Sequence, residues 1–395
     1  MKNCYLYSFF GGISLYKVVF SSQMDYEYSS LKESILSAVN SLGGISQFVK
    51  PEDSVLIKPN LLSARSPEKR ITTDPTFVMA VVEIVKEAGG RPVIADSPPG
   101  IESFRLICER TGMEEIAQRT KVPLVELRKP RKGNTAKCLR FSSLEVSAEA
   151  LEADVIINLP KMKTHCQMLL SLGVKNIFGT VISREKAEWH YRTGLDRDTF
   201  ATLLLDIHNT LNPDLTILDG VWGMEGHGPS GGTPRNFGII AASADALALD
   251  LSVSEMMGIN PSDFPLYRVA KKHDLPQARV KNIEVIADPE IRNRFVDTNI
   301  PRLDSLHVLP SFLRIFSPLL ISKPVQDSGK CIGCGECVKI CRAEAIELKD
   351  HNRLEFNYDK CIRCFCCQEV CPVGAIGFKK GWLLKFRDLM NRKVK

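Results

Sequence analysis

The feature that most constrains this chain is a duplicated cysteine pattern near its C-terminus. Nine of the thirteen cysteines in the 395-residue chain lie within residues 331–371. The spacing C-x2-C-x2-C-x3-C occurs at 331–341 and again at 361–371. The Ala-Ile pair at 345–346 also recurs at 375–376. Repetition of a whole segment at a constant offset indicates an internal duplication.

This spacing is typical of two-cluster proteins, because three thiolates bind one cubane and the fourth binds the neighbouring 4Fe–4S cluster. The pattern therefore predicts two 4Fe–4S clusters. The predicted ligands form two sets, Cys331, Cys334, Cys337 and Cys371 for one cluster and Cys361, Cys364, Cys367 and Cys341 for the other. The alternative is zinc, for which two C-x2-C pairs would suffice. Zinc leaves the third cysteine of each half unexplained. The extra thiol, Cys366, is interpreted as a packed bystander.

Residues 325–378 resemble bacterial-type ferredoxins that carry two 4Fe–4S clusters. The resemblance implies a small α+β domain that transfers single electrons. Family members usually have proline after the fourth cysteine, which holds for Pro372 but not for Arg342. A guanidinium group near that cluster would raise its reduction potential, since net charge is one determinant of such potentials.

Composition excludes several classes of protein. A secreted disulfide scaffold is usually a short, cysteine-dense chain, and this chain is neither. The formal net charge is +6, but residues 379–395 contain seven Lys or Arg and one Asp, which leaves 45 basic and 45 acidic residues elsewhere. A neutral body gives no support for nucleic-acid binding. No segment reaches the ~18 consecutive apolar residues of a membrane span, so we expect a cytoplasmic location.

Residues 1–300 alternate between short β-branched runs and helical stretches. The runs predict strands at 15–20, 54–57, 92–95, 153–157, 215–218, 237–241 and 283–286. Apolar periodicity and capping residues predict helices at 31–42, from Pro75 to Gly89, and at 199–211. This alternation predicts an α/β fold with a mostly parallel sheet layered with helices. Ligands in such folds bind outside the carboxyl ends of the strands.

Polar residues are concentrated where the predicted strands end. Lys161, Lys163 and His165 alternate, so in an extended backbone all three would point the same way, and we regard them as candidate catalytic residues. The further candidates for a ligand pocket are Lys58, Asn60, Lys175, Asn176 and Asp219. Lysines and a histidine gathered at strand ends suit a small anionic ligand, phosphate or carboxylate. The alternative is that each is an ordinary solvated loop residue.

Residues 50–290 also resemble a known family. Four segments, Lys58–Asn60, Asn158–His165, Gly173–Gly179 and Asp214–Gly226, resemble the domain-of-unknown-function 362 family, whose members are often fused to a ferredoxin-like module. The family has no established reaction, so the resemblance implies a fold and a pocket but no activity. A looser likeness is to nickel-dependent lactate racemases, which place lysine and histidine around a carboxylate substrate.

The glycine-rich loop at 226–232 matches two motifs by coincidence. Both G-x-G-x-x-G and G-x-S-x-G require a helix directly after the motif. Pro229, Pro234 and a predicted strand at Phe237 are incompatible with that helix. We therefore interpret this loop as a lid over a ligand.

These features divide the chain into four parts. They are a large α/β domain at 1–300, a docking segment at 301–330, a ferredoxin-like domain at 331–378 and a basic amphipathic tail at 379–395. Our leading hypothesis is an iron–sulfur oxidoreductase that relays electrons between a redox partner protein and an anionic substrate or partner held by the large domain. The alternative is a non-catalytic electron carrier or assembly factor. We expect the tail to dock on the protein itself rather than on a membrane surface.

The cluster assignment predicts the colour and metal content of the purified protein. Chain purified under nitrogen with iron and sulfide supplied should be brown, because iron–sulfur clusters absorb visible light and zinc–thiolate sites do not. Visible absorbance and metal analysis test this directly. A colourless product that contains zinc would refute the assignment.

Overall fold

The computed structural model describes residues 16–99, 102–301 and 322–379, without the side chains of residues 183 and 184. Of the docking segment predicted at 301–330, residues 302–321 lie outside the described residues, and so does the amphipathic tail beyond residue 379. Among the helices that are described, none combines the length and the hydrophobicity needed to cross a membrane.

The strands of the described residues are numbered in chain order. In the large domain they are β1 (Tyr16–Ser22), β2 (Ser54–Pro59), β3 (Arg91–Asp96), β4 (Leu124–Glu126), β5 (Pro130–Lys132), β6 (Glu145–Ser147), β7 (Val155–Leu159), β8 (Lys161–His165), β9 (Leu169–Ser171), β10 (Leu215–Glu225), β11 (Thr233–Ser243) and β12 (Ile283–Ile286). In the small C-terminal domain they are β13 (Lys323–Gln326), β14 (Ile346–Lys349), β15 (Arg353–Phe356) and β16 (Ile376–Lys379).

The α-helices of the described residues follow the same convention. They are α1 (Tyr28–Asn40), α2 (Pro75–Glu87), α3 (Phe104–Arg110), α4 (Met113–Thr120), α5 (Ala148–Glu152), α6 (Gly173–Ile177), α7 (Ser183–Thr193), α8 (Arg197–Leu211), α9 (Ala246–Met256), α10 (Pro265–Lys272), α11 (Glu336–Ile340) and α12 (Cys366–Glu369).

The large domain is built on a ten-stranded sheet with the order β12-β1-β11-β10-β7-β2-β3-β4. Neighbouring strands on this path are parallel except where β11 pairs with β1 and β10. Strand β8 pairs in parallel with β10 and antiparallel with β9. The predicted α/β fold with a mostly parallel sheet is therefore confirmed.

Helices cover both faces of this sheet. Successive residues of β1, such as Val18 and Val19, belong to two different hydrophobic cores, because neighbouring strand residues point to opposite faces. One core includes buried residues of α1 and α2, and the other includes residues of α6, α8 and α9. Asp74 caps α2 by accepting from the Thr76 amide at 3.0 Å, so the predicted start at Pro75 is correct. Helix α1 begins at Tyr28, before the predicted start at Leu31, which lies in the buried stripe of that helix.

The small domain repeats one unit of strand, helix and strand. The unit β13-α11-β14 is followed thirty residues later by β15-α12-β16. Strand β13 pairs with β16, and β14 pairs with β15, so the first strand of each unit pairs with the last strand of the other. Strand β13 lies in the stretch assigned from the sequence to the docking segment, and its pairing makes it part of the small domain.

Helix α6, which carries Lys175 and Asn176, is held in place by a buried carboxyl group. Asp250 on α9 accepts hydrogen bonds from the amides of Gly173 at 2.7 Å and Val174 at 3.0 Å. Burial raises the pKa of Asp250 to about 8, so the group is largely protonated at neutral pH. Two amides of a very short helix therefore depend on one side chain.

We predict that Asp250→Ala lowers the free energy of unfolding by about 2–5 kcal/mol, because two buried amides lose their acceptor. Asp250→Asn is the matched control. It retains a neutral acceptor oxygen and should cost less than about 1 kcal/mol. Denaturant unfolding of both variants at pH 7 measures the difference. Equal losses in the two variants would contradict this role of Asp250.

Candidate functional site

A cavity of about 60 Å³ lies between the large and the small domain. The large-domain wall comes from the ends of β2 and β3, from β8, and from α6 and α7. The opposite wall consists of Ile340, Cys366, Glu369 and Val370 of the small domain. A ligand in this cavity would therefore contact both domains.

The first cation of the cavity is Lys58 at the end of β2. Its ammonium group is 1% exposed and lies 2.8 Å from Oδ1 of Asp96 at the end of β3. Burial lowers the pKa of Lys58, while Asp96 acts in the opposite direction. Residue 179 must be glycine, because a Cβ there would lie 2.5 Å from Lys58 Nζ and 2.6 Å from Asp96 Oδ1. The pair and Gly179 together form one side of the cavity.

Lys163 on β8 is the second cation, and amide side chains position it. Its Nζ donates to Asn60 Oδ1 and to the Ile71 carbonyl, both at 2.8 Å. Asn60 Nδ2 donates in turn to Asn176 Oδ1 at 2.9 Å. Burial, followed by the charge of Lys175, lowers the pKa of Lys163 to about 7. An ammonium group has three donors, so one N–H of Lys163 remains for a ligand.

Lys161 and Asp219, both predicted from the sequence, do not line this cavity. Lys161 Nζ donates to Asp219 Oδ2 at 2.8 Å and to the Tyr26 hydroxyl at 2.7 Å. The Tyr26 hydroxyl donates to Asp219 Oδ1 at 2.8 Å, and the Asp74 amide donates to Asp219 Oδ2 at 3.0 Å. The prediction of one pocket shared with Lys163 therefore differs from the structure, since these residues form a closed network of their own.

His165 also lies outside the cavity and joins the two domains. Its Nδ1 accepts from the amides of Gln167 at 3.0 Å and Met168 at 3.2 Å. The ring proton therefore lies on Nε2, which is 3.0 Å from Oε1 of Glu369 in α12. Burial, followed by the charge of Lys175, lowers the pKa of His165 to about 4. A neutral imidazole thus donates to a carboxylate across the domain interface.

Glu369 was not selected from the sequence, although it connects the cavity to the small domain. Burial opposes its ionisation, but Lys175 and His165 outweigh burial and hold the pKa of Glu369 well below its ordinary value. It lies between Cys367 and Cys371 in the second cysteine motif. No local pattern marks this residue, because acidic residues are common in such short helices.

The glycine-rich loop between β10 and β11 contacts the same helix of the small domain. Ser230 donates to the Glu369 carbonyl and Gln368 donates to the His227 carbonyl, both at 3.4 Å. Pro229 lines the cavity. No helix follows the loop, which agrees with the rejection of both glycine motifs. The loop lies at the domain interface, and its role as a lid stays a prediction.

The eight predicted cluster cysteines surround two separate cavities in the small domain. One is lined by Cys331, Cys334, Cys337 and Cys371, and the other by Cys341, Cys361, Cys364 and Cys367. These are the two sets expected from the spacing. Four thiols around one cavity match the donor set of a 4Fe–4S cluster. Cys366 lines the second of these cavities and also the cavity between the domains.

Two further residues of the interdomain cavity were missed in the sequence. Lys186 and His190 lie on α7, and both are buried. They are four residues apart and therefore share one helix face. Only this spacing could have marked Lys186 and His190 as neighbours in a site, and polar residues at the same spacing are common on solvent-exposed helices.

Comparison with known families agrees with an α/β protein joined to an iron–sulfur module. Residues 55–255 match the family described as "Domain of unknown function (DUF362)". Residues 330–375 match the "4Fe-4S dicluster domain" family. The first match covers half of the chain, and the chain belongs to the DUF362 family, here fused to a 4Fe–4S dicluster domain that serves as an electron-carrier module.

Two curated proteins resemble different parts of the chain. "Thylakoid-associated protein sll1697" of Synechocystis sp. (strain ATCC 27184 / PCC 6803 / Kazusa) is 42% identical over 240 residues, which are 61% of this chain and 74% of that protein. "Ferredoxin-2" of Desulfomicrobium norvegicum is 58% identical over 26 residues, which are 7% of this chain and 44% of that protein.

Among solved structures, the lactate racemase apoprotein from Thermoanaerobacterium thermosaccharolyticum is similar at a TM-score of 0.43 and 11% sequence identity. The match covers 62% of this chain and 57% of that one.

The separate network around Asp219 predicts a structural role for Lys161. Lys161→Met should lower the free energy of unfolding by about 3–5 kcal/mol, because it leaves the buried Asp219 carboxylate without its cation. The double variant Lys161→Met/Asp219→Asn removes both charges and should recover part of the loss. Denaturant unfolding of both variants tests this. Unchanged stability of Lys161→Met would show that the pair does not support the fold.

Proposed function

We propose that this chain is an iron–sulfur protein that passes electrons between a redox partner protein and a small anionic substrate bound in the interdomain cavity. In this proposal one 4Fe–4S cluster is bound by Cys331, Cys334, Cys337 and Cys371, and the other by Cys341, Cys361, Cys364 and Cys367. Each cluster, when bound, supplies a centre that accepts and releases one electron. The reaction class is that of an iron–sulfur oxidoreductase.

The observation that carries this proposal is the shared wall between the interdomain cavity and one cysteine-lined cavity. Ala187, Ile340 and Cys366 line both. A ligand held by the lysines would therefore lie one layer of side chains from the second set of cysteines. This placement supports electron transfer to a bound ligand, because the domain that binds the ligand and the domain that carries the electrons meet at the ligand.

The residues of the large domain have distinct roles in the proposal. Lys163, Lys175 and the amide of Asn60 would bind the anionic group, since cations and amide donors in a water-poor cavity stabilise negative charge. Lys58 is paired with Asp96. It would keep that pair when the anion binds and would contribute only its positive charge to the cavity. His165 is a positioning residue that acts through Glu369.

The alternative function is that of an electron carrier without a substrate of its own. One observation favours it: the first set of cysteines reaches the surface, since Cys334 is exposed and the neighbouring Ile332 is 59% exposed. Apolar surface beside a cluster suits brief docking of a redox protein. The same surface would serve as the entry point for electrons if the cavity binds a substrate.

We also keep the cytoplasm as the proposed location. The cyanobacterial relative carries the words "thylakoid-associated" in its name, which makes a membrane-surface location the alternative. Fractionation of cells that produce the tagged chain would distinguish the two.

The lysine site predicts stabilisation by an anion that depends on Lys163. With clusters reconstituted anaerobically, at least one of acetate, lactate, sulfate and phosphate should raise the melting temperature of the wild type. At about 100 times the Kd the shift should be about 3–10 °C. Lys163→Ala should lose this shift, because the cavity loses the ammonium group that Asn60 orients toward it.

Lys281→Ala is the matched control, since Lys281 is an exposed lysine of the large domain far along the chain from the cavity residues. Its melting temperature should respond to anions as the wild type does. If no anion stabilises the wild type, the electron-carrier alternative is favoured instead. If Lys163→Ala responds like the wild type, the anion binds elsewhere and the proposed site is wrong.

A further inference from the structure

Helix α7 contributes two residues to the cavity that the proposed function does not yet use. Lys186 is 6% exposed and His190 is 3% exposed. Lys186 Nζ donates to the Ser97 carbonyl and, at 3.5 Å, to the Gly179 carbonyl. Both residues line the cavity.

His190 is a hydrogen-bonding group without a partner. Its Nδ1 is buried and has no hydrogen-bond partner among the described residues. The ring stacks on Phe200 at a centroid distance of 4.3 Å and meets the edge of Phe178 at 5.7 Å. Burial lowers the pKa of His190 to about 3, so the ring is neutral. Buried polar groups are normally satisfied, and this unsatisfied ring belongs to a residue that lines the cavity.

The cavity also contains more positive than negative side chains. Four lysines line it, and the carboxylates are Asp96 and Glu369. Asp96 is paired with Lys58, and Glu369 accepts from His165. The lysines left over are Lys163, Lys175 and Lys186, none of which lies within 4.0 Å of a carboxylate oxygen of the described residues.

An excess of unpaired lysines in a buried cavity is costly unless a ligand supplies the counter-charge. If all four lysines and both carboxylates are ionised, the cavity carries an excess of two positive charges. A single carboxylate ligand would neutralise half of that excess, whereas a phosphate group carries a charge near −2 and several acceptor oxygens. The volume suits a group of this size, since 60 Å³ holds roughly four to six water molecules.

We infer that Lys163, Lys175, Lys186 and His190 form a binding site for a phosphate group, either inorganic phosphate or the phosphate of a small monoester. This inference rests on the proposed function and names the class of anion that the cavity takes. Lys163 from β8 and Lys186 from α7 would donate to the phosphate oxygens. His190, also on α7 and stacked on Phe200, would supply a neutral donor.

Protons should be taken up when phosphate binds. Burial lowers the pKa of Lys186 to about 7, with Lys58 and Lys175 lowering it further and Asp96 and Glu369 opposing them. Lys163 has a pKa of about 7 as well, with Lys175 and Lys161 lowering it and Glu369 and Asp96 opposing them. Above pH 7 both lysines are largely neutral in the free protein. A bound dianion favours their charged forms, so affinity should fall as pH rises from 7 to 9.

Phosphate itself cannot cause that decrease, because raising the pH removes its second proton, with a pKa of about 6 in a monoester and about one unit higher in inorganic phosphate, and so only increases the fraction of dianion. A decrease in phosphate affinity between pH 7 and 9 would therefore indicate that Lys163 and Lys186 lose their protons. A site that bound phosphate through surface lysines, with ordinary pKa values near 10.4, would show no decrease over the same range.

Calorimetric titration of inorganic phosphate into the anaerobically reconstituted full-length chain tests the inference. Affinity at pH 9 should be at least about tenfold weaker than at pH 7. At pH 8, two buffers with different ionisation enthalpies should reveal net proton uptake. Lys186→Gln should weaken binding by about tenfold to hundredfold, the usual effect of losing a charged donor. His190→Phe, which preserves stacking on Phe200, should weaken it by about threefold to tenfold.

Lys281→Gln is the control and should bind phosphate as the wild type does. Glycerol 3-phosphate in a parallel titration distinguishes the sources: tighter binding than inorganic phosphate assigns the site to a monoester, and weaker binding assigns it to free phosphate. If Lys186→Gln does not fold, the pH dependence and the proton uptake of the wild type still decide the question.

The failures of the two proposals are distinguishable. If phosphate does not bind but acetate or lactate stabilises the protein in a Lys163-dependent manner, the phosphate inference is wrong and the proposed function stands. Binding of phosphate that is independent of pH and of Lys186 also overturns the inference. If no anion binds at all, both proposals fail.

Discussion

The large domain depends on satisfying the ammonium groups that its topology buries at the carboxyl edge of the sheet. A buried charge without partners is unfavourable, and the three buried lysines on β2 and β8 are satisfied in three ways. Lys58 has a carboxylate and the Pro59 carbonyl, Lys161 has a carboxylate and a phenol, and Lys163 has an amide oxygen and a backbone carbonyl. The first two are neutralised within the fold. The third has neutral partners, so the need for an anion is concentrated at Lys163.

The sequence predicted the layered sheet because the information for it is local. Runs of β-branched residues identify most strands of the large sheet, and helix caps identify helix starts. Residues 161–165, for which extended backbone was only a condition of the argument, form strand β8. The neighbours of each side chain are not local. Lys161 meets Tyr26, 135 residues away, and Asp219, 58 residues away. Lys186 could not be predicted either, because its position depends on a contact with the carbonyl of Ser97, which lies 89 residues away.

At the domain interface, strand β8 of the large domain holds the small domain in position. The donor from His165 fixes the carboxylate of Glu369, and a guanidinium contact from Arg65 to the Cys371 carbonyl fixes the chain two residues further on. Both contacts fall on the segment that connects the two cysteine-lined cavities. The lysine-lined cavity exists because this support holds the two domains against each other, so its shape depends on residues that no ligand would touch.

The two repeats of the small domain complete each other, and this indicates how the domain could have arisen. Each repeat supplies three thiols to one cavity and the fourth to the other, and its outer strands pair with those of its twin. A lone repeat would have neither a complete ring of sulfur donors nor a strand partner. A primitive peptide of half this length could therefore have worked only as a symmetric dimer, in which two identical copies completed each other before their genes were joined.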